Sequence, residues 1–105
     1  MQVERIKFER TGGFAGMRIA TDLKMDDLPV EQARQLSDLL EDLDFEELPE
    51  QMINKASMPD QFTYKITVQT KQREHTVITG DTSAPEKMQE LLQLLNRLAR
   101  TQKRS

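Results

Sequence analysis

A cluster of glycines is the first feature of this sequence that could carry chemistry. The stretch ERTGGFAGMRI, residues 9–19, places Gly12, Gly13 and Gly16 around Phe14. A glycine-rich loop binds phosphate when it leads directly into a helix, whose free amides and dipole meet the anion. Here the loop contains no lysine and leads into the strand-like segment MRIATDL. We therefore interpret it as a strand connection, in which the glycines allow positive φ angles or a bulge.

Histidine and paired carboxylates are the other candidates for chemistry. His75 is the only histidine and the chain has no cysteine, whereas a zinc site or a histidine-dependent triad needs several partners. Glu41 with Asp42, and Glu46 with Glu47, lie on or beside what reads as a solvated helix face. Acid–base catalysis needs carboxylates that face a pocket in different environments. The sequence therefore predicts no catalytic residue, no metal site and no cofactor, and a protein that is not an enzyme.

Length and composition predict one small domain. The chain has 105 residues, of which 36% are hydrophobic and 31% are charged. We expect a single α+β domain over residues 1–100 and a frayed basic tail over residues 101–105. No apolar run approaches the length of a membrane span, and MQVERIKFER has no apolar signal segment. We expect a cytoplasmic protein that does not contact a membrane.

The charge of the chain is unevenly spread. Residues 22–50 carry eleven acidic residues against Lys24 and Arg34, whereas residues 97–105 carry four basic residues and no acid. A solvated acidic helix and a basic helix end account for this pattern. Four basic residues are weak support for a nucleic-acid surface, which needs a basic face, so no nucleic-acid partner is expected.

Four segments alternate between apolar and polar residues, as half-buried strands do. They are residues 3–10, 17–23, 61–70 and 74–80. The glycine-rich stretch joins the first pair into a hairpin, and a short KQR turn joins the second pair.

Two segments have the spacing of amphipathic helices. Residues 26–45 include Pro29 near the start and an apolar face made of Val30, Ala33, Leu36, Leu39, Leu40 and Leu43. The second helix follows the capping-box spacing of Ser83 and Glu86, and its apolar face is made of Met88, Leu91, Leu92, Leu95, Leu98 and Ala99.

Because the outward strand positions are polar, the helices must cover only one face of the sheet. The predicted fold is α+β, in two layers. It has a four-stranded, mainly antiparallel sheet with two helices on one face, in the order ββαββα, and the strand order stays open.

Some apolar residues lie outside any periodic pattern. They are Phe14, in the glycine-rich connection, and Met52, Ile53 and Met58, in the aperiodic stretch EQMINKASMPD of residues 50–60. One interpretation is that these side chains cap the ends of the core. The other is that they form a partner-binding surface on loops that a rigid scaffold displays.

The sequence resembles the emfourin family, small bacterial proteins named for an inhibitor of protealysin, a thermolysin-like zinc metalloprotease. The resemblance rests on IKFERTGGFAG, LPVEQARQL, DFEELP, FTYKITV and HTV, in this order, over most of residues 5–95. It implies a protein that binds such a protease and blocks its cleft.

A thermolysin-like enzyme has a zinc ion with an open coordination position beside a pocket for bulky apolar side chains. The resemblance therefore makes the loop residues Met52, Ile53 and Met58 candidates for that pocket, and Asp60 or Glu50 candidates to approach the metal. Pro59 would stiffen the loop and make the Met58–Pro59 bond a poor one to cut. The hairpin of Gly12, Gly13, Phe14 and Gly16 is the competing contact surface.

The residues and the resemblance are compatible with three classes of function. The first is a proteinaceous inhibitor or regulator of a thermolysin-like metalloprotease that acts through its loops. The second is an interaction or adaptor domain without a protease target, as a monomer or as a weak dimer paired through an exposed edge strand. The third, an enzyme, is disfavoured because no pocket and no paired catalytic groups are evident.

Overall fold

The computed structural model describes residues 3–12, 17–51, 62–80 and 86–102. Four strands are present, β1 (Val3–Gly12), β2 (Met17–Lys24), β3 (Phe62–Thr70) and β4 (Glu74–Gly80). The two α-helices are α1 (Val30–Asp42) and α2 (Glu86–Gln102), and short 3-10 turns occupy Met25–Asp27 and Phe45–Glu47. The order ββαββα predicted from the alternation and helical spacing is therefore confirmed.

The strands form one sheet in the order β2-β1-β3-β4, and every neighbouring pair is antiparallel. Phe8 lies opposite Thr21 on one side and Ile66 on the other, and Ile66 in turn lies opposite Val77. Because side chains at paired positions point to the same face of a sheet, this register collects the apolar strand residues on one face. That face is buried, with Ile6, Ile66 and Val77 fully inaccessible to solvent.

Both helices share a single hydrophobic core with that face of the sheet. Leu36 and Leu40 of α1 are fully buried, and α2 buries Met88, Leu91, Leu92, Leu94, Leu95, Leu98 and Ala99. The opposite face carries mostly polar side chains, of which Lys7, Asp22 and Lys65 are exposed. The two-layer arrangement follows from this division, since only one face of the sheet is apolar enough to require a cover.

The first helix is shorter than predicted, and its first residue does not join the core. Pro29 is the N-cap residue, with extended backbone angles, and lies before the first turn instead of within it. Val30 was predicted on the apolar face, but it is 74% exposed. Leu28, which is 7% exposed, enters the core as the chain approaches the helix. After α1, Asp44 adopts the left-handed region with φ 50°, which ends the helix.

The chain that follows α1 runs along the outer edge of β4. Phe45 is fully buried and meets the ring of His75 edge-on, with centroids 5.7 Å apart. The Nε2 of His75 lies 2.8 Å from the backbone oxygen of Leu48, and because a carbonyl only accepts, this nitrogen carries the proton and donates. His75 is thus packed at the edge of the sheet, and it holds the connection that follows α1 against β4.

At the other end of the chain, α2 extends to Gln102, and residues 103–105 of the predicted tail lie outside the described residues. Within the described ranges, neither helix is both long and apolar enough to cross a bilayer.

Candidate functional site

One end of the sheet gathers the points where the undescribed connections begin and end. Gly12, the last residue of β1, lies opposite Met17 of β2 on one side and Phe62 of β3 on the other. Thr63, next to Phe62, lies opposite Gly80, the last residue of β4. We call this row of strand ends, Gly12, Met17, Phe62 and Gly80, the loop end.

The residues predicted to contact a partner belong to connections that start or finish at the loop end. Gly12 is described and has φ 108°, a backbone conformation that favours glycine. Gly13, Phe14 and Gly16 lie outside the described residues, as do Met52, Ile53, Met58, Pro59 and Asp60. The structure therefore brings together the anchor points of the two candidate contact segments, residues 13–16 and 52–61.

Both anchors of residues 52–61 are tied to the sheet. On the entering side, the backbone N–H of Ile78 donates to the carbonyl of Glu50 over 2.8 Å, and Gln51 forms a parallel bridge with Ile78. On the leaving side, Phe62 pairs with Gly12. Glu50 itself is exposed. A segment whose two ends are fixed loses less conformational entropy when it docks than one that is tethered at a single end.

Arg10 is the residue at this end of the sheet that sequence reasoning missed. It follows Ile6 and Phe8 on the inward side of β1, so an arginine occupies a helix-facing position. Its Nη1 donates to Oδ1 of Asn96 on α2 over 3.1 Å, and its guanidinium carbon lies 4.6 Å from the centroid of the Phe62 ring. Arg10 therefore links α2 to the first residue of β3. The alternation of inward residues at Ile6 and Phe8, extended to residue 10, would have predicted the inward position of Arg10 from the sequence.

A row of aromatic rings continues from Phe62 into the core. Phe62 and Tyr64 have ring centroids 6.4 Å apart, and Tyr64 stacks on Phe8 at 6.0 Å with an interplanar angle of 19°. Aromatic pairs at such distances contribute about 0.5–1.5 kcal/mol each beyond the area they bury. Because Phe62 is both the last anchor of residues 52–61 and part of this row, the position of that anchor is coupled to the core.

Thr79, near the end of β4, is a polar exception in this region. Its side chain is fully buried, and its Oγ1 has no hydrogen-bond partner among the described residues. No group of three or more histidine, cysteine or acidic side chains capable of holding a metal ion occurs within residues 3–12, 17–51, 62–80 and 86–102. The described part of the loop end therefore consists of paired strand ends that anchor the candidate contact segments.

A comparison with protein-family models agrees with the sequence resemblance. The family model for emfourins matches residues 8–96. Among solved structures, the chain is similar to emfourin (M4in) from Serratia proteamaculans, described as an M4 family peptidase inhibitor. The two are 25% identical, the match covers 83% of each chain, and the TM-score is 0.44. No curated protein matches the sequence.

Proposed function

Because this chain belongs to the emfourin family, we propose that it is an inhibitor of a thermolysin-like zinc metalloprotease. The observation that carries this proposal is the family match over residues 8–96. That range contains the whole loop end and both segments named as candidate contacts. The activity is the one that the family resemblance implies, and it makes the protein a binding partner of an enzyme instead of an enzyme itself.

Residues 52–61 are the segment we propose to enter the protease cleft. Both ends of this segment are held by the sheet, through Gln51 at Ile78 and through Phe62 at Gly12. Met52, Ile53 or Met58 supplies the bulky apolar side chain for the pocket beside the protease's zinc ion. Pro59 restricts the backbone, which reduces the entropy lost on binding and protects the Met58–Pro59 bond from cleavage.

A carboxylate completes the proposed contact. Glu50 is exposed, and its backbone is hydrogen-bonded to the edge of β4, so its side chain projects from a fixed point. Asp60 lies two residues before Phe62, at the other anchor. An oxygen of the Glu50 carboxylate or of the Asp60 carboxylate is a suitable ligand for the open position of the protease's zinc ion. Residues 13–16 adjoin the same loop end and supply the second contact, with Phe14 as its apolar group.

The direct test is a titration of a thermolysin-like protease with the purified protein. We expect loss of protease activity to be complete near an equimolar ratio, with the protein recovered uncut. Full activity of every thermolysin-like enzyme tested, including one from the same organism, would contradict the proposal. Recovery of a non-protease partner in a pull-down, together with that result, would favour the adaptor hypothesis instead.

Substitutions in the segment test which residues make the contact. Ile53→Asp and Met58→Asp each place a charge where an apolar pocket is proposed, so each should weaken inhibition by at least about tenfold, the equivalent of ~1.4 kcal/mol. Val30→Asp is the matched control, since Val30 is 74% exposed and lies at the start of α1, which follows the opposite end of β2. Thermal unfolding must stay unchanged in all three variants. If Ile53→Asp and Met58→Asp inhibit as well as Val30→Asp, the contact lies elsewhere.

A further inference from the structure

A groove lies between the outer edge of β2 and the C-terminal half of α2. Its volume is about 650 Å³, and its described lining includes Arg10, residues 18–21 of β2, and Arg97 and Arg100 of α2. We call it the arginine groove.

The backbone of β2 itself forms one wall of this groove. Arg18, Ile19, Ala20 and Thr21 are consecutive, and all of them line the same cavity. Successive side chains of a strand point to opposite faces, so four consecutive residues share a cavity only where the strand edge faces it. β2 is the first strand in the sheet order, and among the described residues it pairs only with β1. Its outer edge therefore presents backbone N–H and C=O groups that another strand can pair with.

The charged residues in the described lining of the groove all have the same sign. The described lining residues include four arginines, Arg10, Arg18, Arg97 and Arg100, and no aspartate or glutamate. Arg18 is paired with Glu9, and Arg10 donates to Asn96. Arg97 and Arg100 are exposed, and neither forms an ion pair within the part of the chain that the structure describes. These two arginines place positive charge beside a strand edge that no other described strand pairs with.

We propose that the arginine groove binds an extended acidic segment of a protein partner, which adds to the sheet as a strand beside β2. Backbone hydrogen bonds to the edge of β2 provide the pairing, as in other cases of strand addition. Alternate side chains of the added strand face α2, where carboxylates meet Arg97 and Arg100. The side chains between them face the polar side of the sheet, where Arg18 lies. The four lining residues of β2 correspond to a strand of roughly 13 Å.

Binding of a model peptide to the full-length protein tests the proposal. The probe is a fluorescent octapeptide of alternating threonine and glutamate, measured by anisotropy at low salt. An octapeptide of alternating threonine and lysine is the charge control. We expect the acidic peptide alone to bind, with an affinity that falls as salt is added, because the contacts are largely solvent-exposed. No binding of the acidic peptide, or equal binding of the lysine peptide, overturns the proposal.

Variants locate the binding site. The double substitution Arg97→Glu with Arg100→Glu should weaken peptide binding by at least about tenfold, since two attractive contacts become repulsive. Lys71→Glu with Arg73→Glu makes the same charge change in the β3–β4 turn, at the opposite end of the sheet, where both residues are exposed. Compared at about 0.1 M salt, where the Debye length is about 10 Å, this control should retain binding within about twofold, because its charges lie at the other end of the sheet from the groove. Equal weakening by both double variants would mean that net charge alone governs binding, and the groove would be the wrong site.

Two isomers of the peptide test strand addition itself. One is N-methylated at the glutamates and the other at the threonines. In a paired strand only alternate N–H groups point to the neighbouring strand, so one isomer should lose binding and the other should keep it. Equal behaviour of the two isomers overturns strand addition.

Two other occupants of the groove would be recognised in the same experiments. Tighter binding of an eight-nucleotide oligothymidine than of the peptide would assign the groove to nucleic acid. Protein dimers that the Arg97 and Arg100 substitutions abolish would assign it to a second copy of the chain. Either result would also overturn the proposal.

Discussion

Removal of the Arg10 side chain is the perturbation that best tests how the loop end is held. Arg10→Ala deletes the hydrogen bond to Asn96 at 3.1 Å and the cation–π contact with Phe62 at 4.6 Å. A hydrogen bond from a charged group contributes about 1.5–3 kcal/mol when buried, and an exposed cation–π contact contributes about 0.5–1 kcal/mol. Arg10 is only half-buried, so the lower ends of these ranges apply. We expect a loss of about 2 kcal/mol in the free energy of unfolding, or roughly 8–16 °C in Tm.

The assay is urea denaturation of the wild type, Arg10→Ala, Asn96→Ala and the double variant. Urea is preferred to guanidinium because a salt denaturant would screen the arginine. The double-mutant cycle should give a coupling of about 1 kcal/mol between Arg10 and Asn96. Lys65→Ala is the control, since Lys65 lies on the neighbouring strand but on the exposed face, and it should cost less than about 0.5 kcal/mol.

Arg10→Lys separates charge from geometry. Lysine keeps the positive charge but lacks the planar guanidinium that lies over the Phe62 ring, so this variant should fall between Arg10→Ala and the wild type. A cost for Arg10→Ala no larger than that of Lys65→Ala, with no coupling to Asn96, would refute the reasoning. The inward position of Arg10 would then be incidental, and Phe62 would be held by the aromatic row alone.

Three further substitutions have expected outcomes in the same unfolding assay. Thr79→Val should stabilise the fold by about 1 kcal/mol, because the buried Oγ1 of Thr79 lacks a partner among the described residues and valine keeps the shape without the desolvated hydroxyl. A loss of stability would show that the hydroxyl has a hydrogen-bond partner. Gly12→Ala should cost about 1–3 kcal/mol, since Gly12 has φ 108°, and a neutral result would mean that the hairpin adopts another backbone conformation. Asp44→Gly should be neutral or stabilising by up to about 1 kcal/mol, because Asp44 has φ 50° after α1 and glycine carries no Cβ penalty there. A marked loss of stability would indicate a role for the Asp44 side chain.

Local pattern was sufficient to predict the secondary structure and the face that each element buries. The alternation around Phe8 and around Ile66 fixed which strand residues point inward, and the helical spacing through Leu40 and Leu95 did the same for the helices. At two positions, the polarity of the residue does not match the side of the element on which the residue lies. Val30 is apolar but exposed at the first residue of α1, and Arg10 is charged but lies on the inward side of β1.

The sequence by itself thus determined the strands, the helices, their apolar faces and the two-layer class, because each follows from periodicity within a short segment. Only the tertiary structure decided that β1 lies between β2 and β3, and this order brings the anchors of residues 13–16 and 52–61 to one end of the sheet. The contact between Arg10 and Asn96, 86 residues apart, and the groove beside the edge of β2 follow from the same long-range pairing. Such features depend on which distant surfaces meet, and the periodicity of a single segment carries no information about its neighbours in space.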